Sequence, residues 1–144
     1  MFLATGFWVG NIPFAPGTFG SLIGLPLGFF LSGVELQWAM VSTVLFLFFA
    51  IGIAHAAEKI TRRKDPGCIV IDEIAGMLVT LIGLPFNLIT VAIGFIVFRI
   101  LDIIKPFPIR ALDKRISGGV GVVADDVVAG IFANCLLRLF LYLF

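Results

Sequence analysis

The sequence predicts an all-α fold, a small polytopic membrane bundle of about four to five apolar helices whose polar loops gather on the cytoplasmic side. Hydrophobic residues make up 60% of the 144 residues, and only 13% are charged. The mean hydropathy is +1.16, and a soluble domain of this length could not bury so much apolar surface. Turns rich in Pro and Gly divide the chain into helix-length segments. We expect a single domain over residues 1–144.

Composition also argues against nucleic-acid binding and against a zinc site. The chain has no Lys- and Arg-rich tract with interleaved aromatics, so we expect no nucleic-acid binding. His55 is the only histidine, and Cys68 and Cys135 are the only cysteines. A zinc site of paired Cys and His is therefore excluded. We expect both thiols to be free, and we expect no cleavable signal peptide because no charged segment precedes the apolar N-terminus.

The first half of the chain predicts two apolar helices. Pro and Gly residues in Gly10–Ser21 predict an irregular loop, followed by an apolar helix over Leu22–Gly33. We expect a turn at Gly33–Gln37. Trp38–Arg63 is the longest helical pattern, and it ends in a basic cluster followed by an Asp-Pro-Gly turn.

The second half predicts three further apolar helices and a short amphipathic one. Asp72–Leu84 is an apolar helix that opens with two acids, and Leu88–Lys105 is apolar until its last turns. Ile109–Ile116 suits a short amphipathic helix. The Gly-rich segment Ser117–Gly121 predicts a flexible loop, and two acids then precede the final helix, Val127–Phe144.

Alternating crossings of the bilayer would place most of the polar residues on one side. The segments 10–21, 58–72 and 99–126 fall together there, with nine of the ten basic residues, so the positive-inside rule makes this side cytoplasmic. The predicted helices 22–33 and 72–84 are shorter than the roughly 17–25 residues that a spanning helix needs. Either their flanks extend them, or their polar ends lie in the headgroup region.

Acidic residues converge on the same side. Five of the nine acids come from three helix ends: Asp72, Glu73, Asp102, Asp125 and Asp126. An ionised carboxylate inside an apolar run is costly unless it is paired or binds a cation. Carboxylates without His or Cys suit Mg²⁺ or Mn²⁺. Arg99 and Lys105 lie one helical turn on either side of Asp102, and carboxylates for a metal with cations for an anion indicate phosphoryl chemistry.

Each of these features also has a purely structural explanation. Arg99, Asp102 and Lys105 could form an ion-pair ladder along one helix, and each pair of adjacent acids could begin a helix, where acids favour the dipole. Glu58 could be a further metal ligand or the partner of Arg62 four residues later. The convergence of three acid-bearing segments favours a metal site over three coincident helix caps.

Four long segments resemble the phosphatidylglycerophosphatase A family. They are GNIPFAPGTFGS at 10–21, DPGCIVIDEIAG at 65–76, FRILDIIKPFPIR at 98–110 and GVVADDVVAG at 121–130. The resemblance covers nearly the whole chain in the family's order and spacing. It implies an enzyme of the bacterial inner membrane that removes the terminal phosphate of phosphatidylglycerophosphate with Mg²⁺, giving phosphatidylglycerol and phosphate.

The resemblance and the charge pattern select the same residues. As metal ligands or the water-activating base we predict Asp72, Glu73, Asp125 and Asp126, with Asp102 close by and Glu58 and Asp65 as second choices. We predict that Arg99 and Lys105 neutralise the phosphate and its transition-state charge. Thr18 and Ser21 are predicted phosphate contacts. We favour attack by metal-activated water over a phosphorylated aspartate.

Two other functions compete with the phosphatase. The same carboxylates could form the ion path of a small membrane transporter or channel subunit. A transport path needs polar residues near the middle of several helices, whereas here they cluster at one end. A structural subunit without a site would not need five carboxylates together.

Overall fold

The computed structural model describes all residues, 1–144, as six α-helices and one 3₁₀ turn, with no strand. After the 3₁₀ turn Val9–Asn11, the helices are α1 (Pro16–Ser32), α2 (Leu36–Thr61), α3 (Ile71–Leu81), α4 (Leu88–Ile104), α5 (Ile109–Arg115) and α6 (Gly118–Leu143). The all-α prediction is confirmed. The six helices overlap the segments predicted to be helical, and several of their ends differ from the predicted ones.

The short helix α3 lies at the centre of the bundle. Nine of its 11 residues are buried. Glycines allow its neighbours to approach closely: a Cβ on Gly24 of α1 would lie 2.7 Å from Met77 Cβ, and a Cβ on Gly130 of α6 would lie 2.6 Å from the carbonyl oxygen of Gly76. These contacts run in register along α1, α3 and α6, so the three helices are parallel, and they begin at the same end of the bundle.

The other end of α3 is held by two polar residues of α6. The Asn134 side-chain amide donates to the carbonyl oxygens of Val79, Thr80 and Ile82 at 3.2, 2.9 and 2.9 Å. Its own oxygen accepts a 2.8 Å hydrogen bond from Arg138 Nε. The last carbonyls of a helix lack partners within the helix, and these bonds satisfy those at the end of α3. Arg138, the one basic residue away from the basic side, thus has a structural role.

Two helices are long and apolar enough to span a membrane. They are α2 and α6, of 26 residues each, whereas α1 is shorter at 17 residues. Only 22% of the apolar stretch of α2 is buried inside the protein, so most of its apolar surface faces outward, as a lipid-facing helix requires. Helix α3, with 11 residues, is about 16 Å long, well short of a bilayer core.

Two of the predicted helix starts are wrong. Helix α1 begins at Pro16, inside the segment predicted to be an irregular loop, since proline is well suited to a first helical turn. Helix α6 begins at Gly118, so the predicted flexible loop is mostly helical. A Cβ on Gly119 would lie only 2.2 Å from the carbonyl oxygen of Ile51. Close packing against α2 therefore outweighs the low helix propensity of these glycines.

Candidate metal and phosphate site

The structure brings the five predicted carboxylates together at one end of the bundle. Asp72, Asp102, Asp125 and Asp126 are buried, and Glu73 is half-buried. Their oxygens form two groups, in each of which the oxygens lie within 4.8 Å of one another. The first group is Asp72, Glu73 and Asp126, and the second is Asp102, Asp125 and Asp126. Asp126 belongs to both groups.

Helix packing explains how residues so distant in sequence meet. Asp72 and Glu73 lie in the first turn of α3, whereas Asp102 lies near the end of the oppositely directed α4. A Cβ on Gly76 would lie 2.5 Å from the Phe98 ring and 3.0 Å from the carbonyl oxygen of Asp126, so this glycine lets α3 lie directly against α4 and α6. The acids of the three helices therefore share one level of the bundle.

The acids of α6 do not cap a helix. Asp125 and Asp126 lie about two turns inside α6, and its first turn contains no acid. The favourable interaction of an acid with the helix dipole is limited to the first turn. The structural explanation considered for this pair is therefore wrong, and two buried carboxylates in mid-helix need another partner.

The two predicted cations each pair with a different acid. The guanidinium of Arg99 donates to the Asp102 carboxylate. Lys105 follows the end of α4 in a left-handed conformation and lies 2.7 Å from Asp125 Oδ2 and 3.4 Å from Asp113 Oδ1. The ladder considered along α4 is thus incomplete, because Lys105 reaches α6 instead of Asp102. Burial alone would lower the pKa of Lys105. Its hydrogen bond to Asp125 and the nearby carboxylates have a larger, opposite effect, so the pKa is raised above its usual value and the amine stays charged.

The site retains more negative charge than its cations compensate. Five carboxylates face Arg99 and Lys105, which leaves an excess of three negative charges if all the acids are ionised. Four buried carboxylate oxygens also have no hydrogen-bond partner: Asp72 Oδ1, Glu73 Oε2, Asp125 Oδ1 and Asp126 Oδ2. Buried carboxylates that stay ionised are costly unless a counterion compensates their charge. Clustered carboxylate oxygens without sulfur or imidazole fit a hard divalent cation such as Mg²⁺.

The start of α1 forms one wall of the site. A Cβ on Gly17 would lie 2.5 Å from Glu73 Oε1 and 3.1 Å from both terminal nitrogens of Arg99. Thr18, the next residue, is half-buried. Ser21 is fully buried and its hydroxyl donates to the Gly17 carbonyl at 2.8 Å, so it is occupied within the helix. Of the two predicted hydroxyl contacts, Thr18 is the one that remains available.

The second-choice acids lie outside both carboxylate groups. Glu58 Oε1 accepts a 2.6 Å hydrogen bond from the backbone N–H of Asp65, so Glu58 holds the turn after α2 and does not bond to Arg62. Two contacts were not predicted from the sequence, namely that of Gly17 with Glu73 and that of Asp113 with Lys105. Spacing could not reveal either contact, since both join separate elements.

Comparison with known proteins identifies relatives over nearly the full length. The sequence model of the family described as phosphatidylglycerophosphatase A matches residues 2–141. The chain is 43% identical over 138 residues to the Escherichia coli K12 protein named phosphatidylglycerophosphatase A, covering 94% of this chain and 79% of that protein. It is 37% identical over 133 residues to the Haemophilus influenzae protein of the same name, covering 91% and 82%.

A third relative has a different name. The chain is 38% identical over 143 residues to a Bacteroides thetaiotaomicron protein named "Putative phosphatidylinositol-3-phosphatase", covering 94% of this chain and 89% of that protein. No solved structure matches the chain. The family match over residues 2–141 and the two relatives that share its name agree with the resemblance seen in the four motifs. The chain belongs to the phosphatidylglycerophosphatase A family.

Proposed function

We propose that this protein hydrolyses the terminal phosphomonoester of phosphatidylglycerophosphate, releasing phosphatidylglycerol and phosphate. Family membership supports the reaction, and the buried carboxylate cluster beside Arg99 and Lys105 supports the chemistry. The observation that carries the proposal is the set of four unpartnered carboxylate oxygens at the end of the bundle. Such a set needs a cation, and a cation held beside two basic side chains is suited to a phosphate.

Four acids are proposed to hold the metal: Asp72, Glu73, Asp125 and Asp126. A bound Mg²⁺ would supply charge neutralisation for the phosphate and would make a water molecule more acidic. A carboxylate oxygen of the cluster that does not hold the metal would accept the proton of the attacking water, so hydrolysis requires no phosphorylated aspartate. Asp126 has the central role, since it is shared by both carboxylate groups.

The basic side chains are proposed to bind and orient the phosphate. Arg99 lies between Asp102 and the start of α1, so its remaining N–H groups can reach a phosphate oxygen beside Gly17 and Thr18. Lys105 is held by Asp125 and Asp113, which fixes its ammonium group without fully enclosing it. Positive groups fixed in this way stabilise the charge that develops on the phosphoryl oxygens and need little reorganisation.

The expected result for the purified protein in detergent is phosphate release from phosphatidylglycerophosphate with Mg²⁺, and loss of that release with EDTA. The reason is that the clustered carboxylates repel a phosphate unless a bound cation compensates their negative charge. Phosphatidic acid and phosphatidylinositol 3-phosphate serve as comparison substrates, with phosphate measured in each case. Release that is equally fast in EDTA would contradict the metal role, and release only from another lipid would contradict the proposed substrate.

We propose a multi-pass arrangement in the bacterial inner membrane with the site on the cytoplasmic side. Nine of the ten basic residues lie near the carboxylate end, which the positive-inside rule assigns to the cytoplasm. The ends of α2 would then lie on opposite sides of the bilayer. No observation favours the transport alternative, since the buried acids cluster at one end of the bundle.

Cysteine labelling tests this orientation. In a Cys68→Ala/Cys135→Ala background, we expect Glu35→Cys to react with a membrane-impermeant maleimide in intact spheroplasts. Lys64→Cys should react only after the membrane is opened, because Glu35 and Lys64 flank opposite ends of α2 and both are exposed. Labelling is read by gel shift, and the reverse pattern would contradict the cytoplasmic site.

A further inference from the structure

A basic groove adjoins the carboxylate site on the far side of Lys105. It has a volume of about 560 Å³, and its cationic side chains are Lys105, Arg110, Lys114 and Arg115. Pro106 and the exposed Phe107 complete its rim, and no acid lines it. We call this surface the α5 groove, because most of its cations belong to α5.

The cations of the α5 groove lack acidic partners. Every ion pair in the structure involves Arg99 or Lys105, so Arg110, Lys114 and Arg115 have no carboxylate within 4.0 Å. The guanidinium of Arg110 makes only a long 3.5 Å hydrogen bond to the carbonyl oxygen of Ile104. Three unpaired cations around a concave surface have the charge and shape to attract an anion.

Lys105 connects this groove to the carboxylate site. Its ammonium group lies 2.7 Å from Asp125 and 3.4 Å from Asp113, and the same side chain lines the α5 groove. A ligand that occupies both places therefore needs two anionic groups separated by a short spacer. Phosphatidylglycerophosphate has this form, with a terminal phosphomonoester and a phosphodiester joined through one glycerol unit.

We propose that the α5 groove binds the phosphodiester of the lipid substrate while the carboxylate site holds the phosphomonoester that is hydrolysed. This inference rests on the proposed function and adds the origin of its substrate specificity. The groove would favour lipids in which a phosphodiester links the phosphorylated headgroup to diacylglycerol. It would give no advantage to phosphatidic acid, whose only phosphate is the phosphomonoester.

A second basic surface provides a matched comparison. Lys59, Arg62, Arg63 and Lys64 surround another pocket at the end of α2, and Lys105 does not line it. Lys59 and Arg63 are exposed and four residues apart, as Arg110 and Lys114 are. Removing either pair changes the net charge by the same amount on the same side of the bundle. General attraction to an anionic surface would respond alike to both changes, whereas a substrate site would not.

The test compares Arg110→Gln/Lys114→Gln with Lys59→Gln/Arg63→Gln in mixed micelles of neutral detergent with Mg²⁺. For the α5 pair we expect the KM for phosphatidylglycerophosphate to rise about tenfold with little change in kcat, as expected when two exposed charge-assisted contacts are lost. The inhibition constant of phosphatidylglycerol, which keeps only the phosphodiester, should rise in parallel. That of phosphatidic acid should stay unchanged. The α2 pair should alter each value less than twofold.

Further outcomes separate this inference from the proposed function. Equal shifts for both pairs, or equal shifts for phosphatidylglycerol and phosphatidic acid, would mean general attraction to anionic lipid and would overturn the groove. Unchanged constants for the α5 pair would overturn it as well. The charge-keeping variant Arg110→Lys/Lys114→Arg should have a KM close to that of the wild-type protein. This result would show that the higher KM of the Gln variant comes from the lost charges and not from a disturbed α5 helix. Failure of the wild-type protein to hydrolyse phosphatidylglycerophosphate would overturn the proposed function itself.

Discussion

Asp126→Asn should reduce phosphate release from phosphatidylglycerophosphate by at least about 10³-fold, equivalent to about 4 kcal/mol of transition-state stabilisation. Asp126 is the one acid common to both carboxylate groups, and its Oδ2 is buried without a hydrogen-bond partner. Asparagine keeps the shape of the side chain but removes the charge that a divalent cation requires. Asp72→Asn should also abolish activity, although Asp72 belongs to only one group.

The variant also needs to be examined apart from activity. Mn²⁺ binding, measured by electron paramagnetic resonance, should weaken in Asp126→Asn. The helix content by circular dichroism and the elution volume in size-exclusion chromatography should match those of the wild-type protein. Glu35→Gln is the matched control, because it removes a carboxylate charge that lies before α2, outside both groups. Near-normal activity in both Asp126→Asn and Asp72→Asn would contradict the site assignment, whatever the metal.

The sequence is most informative where charged residues lie within apolar segments. Charged residues in apolar helices are costly, so the positions of Asp72, Asp102 and Asp126 in the sequence by themselves indicate a shared site. Asp72 and Asp102 lie near helix ends, which hydrophobic patterns locate to within a few residues, whereas Asp126 lies about two turns inside α6. The structure brings the three side chains together through α3, α4 and α6.

Sequence patterns do not predict contacts between separate helices. The pairing of Lys105 with Asp125 depends on how the chain turns after α4, and spacing along the helix favoured Asp102 instead. Likewise, the glycines at the start of α6 predict a loop by propensity, yet they are helical, and at Gly119 only glycine allows α2 to lie so close. Tertiary packing outweighs local preference at both places.

Close packing of α3 and α6 is itself required for the site. The Cβ of an alanine at position 130 would lie 2.6 Å from the carbonyl oxygen of Gly76 and 3.1 Å from Val79 Cβ. Backbone atoms cannot move aside as a flexible side chain does, so the two helices must separate. Because Asp126 lies one turn before Gly130, this separation would move it away from Asp72 and Glu73.

We therefore expect Gly130→Ala to lower activity about 10²-fold, the effect of a displacement of about 1 Å in a catalytic group. Overpacking should also destabilise the fold by about 1–3 kcal/mol, seen as a lower melting temperature in detergent. Gly52→Ala makes the same chemical change on α2, where a Cβ would meet nothing within 4 Å, and it should leave both values nearly unchanged or slightly raise stability. If the two variants behave alike, the α3–α6 contact does not position the carboxylates.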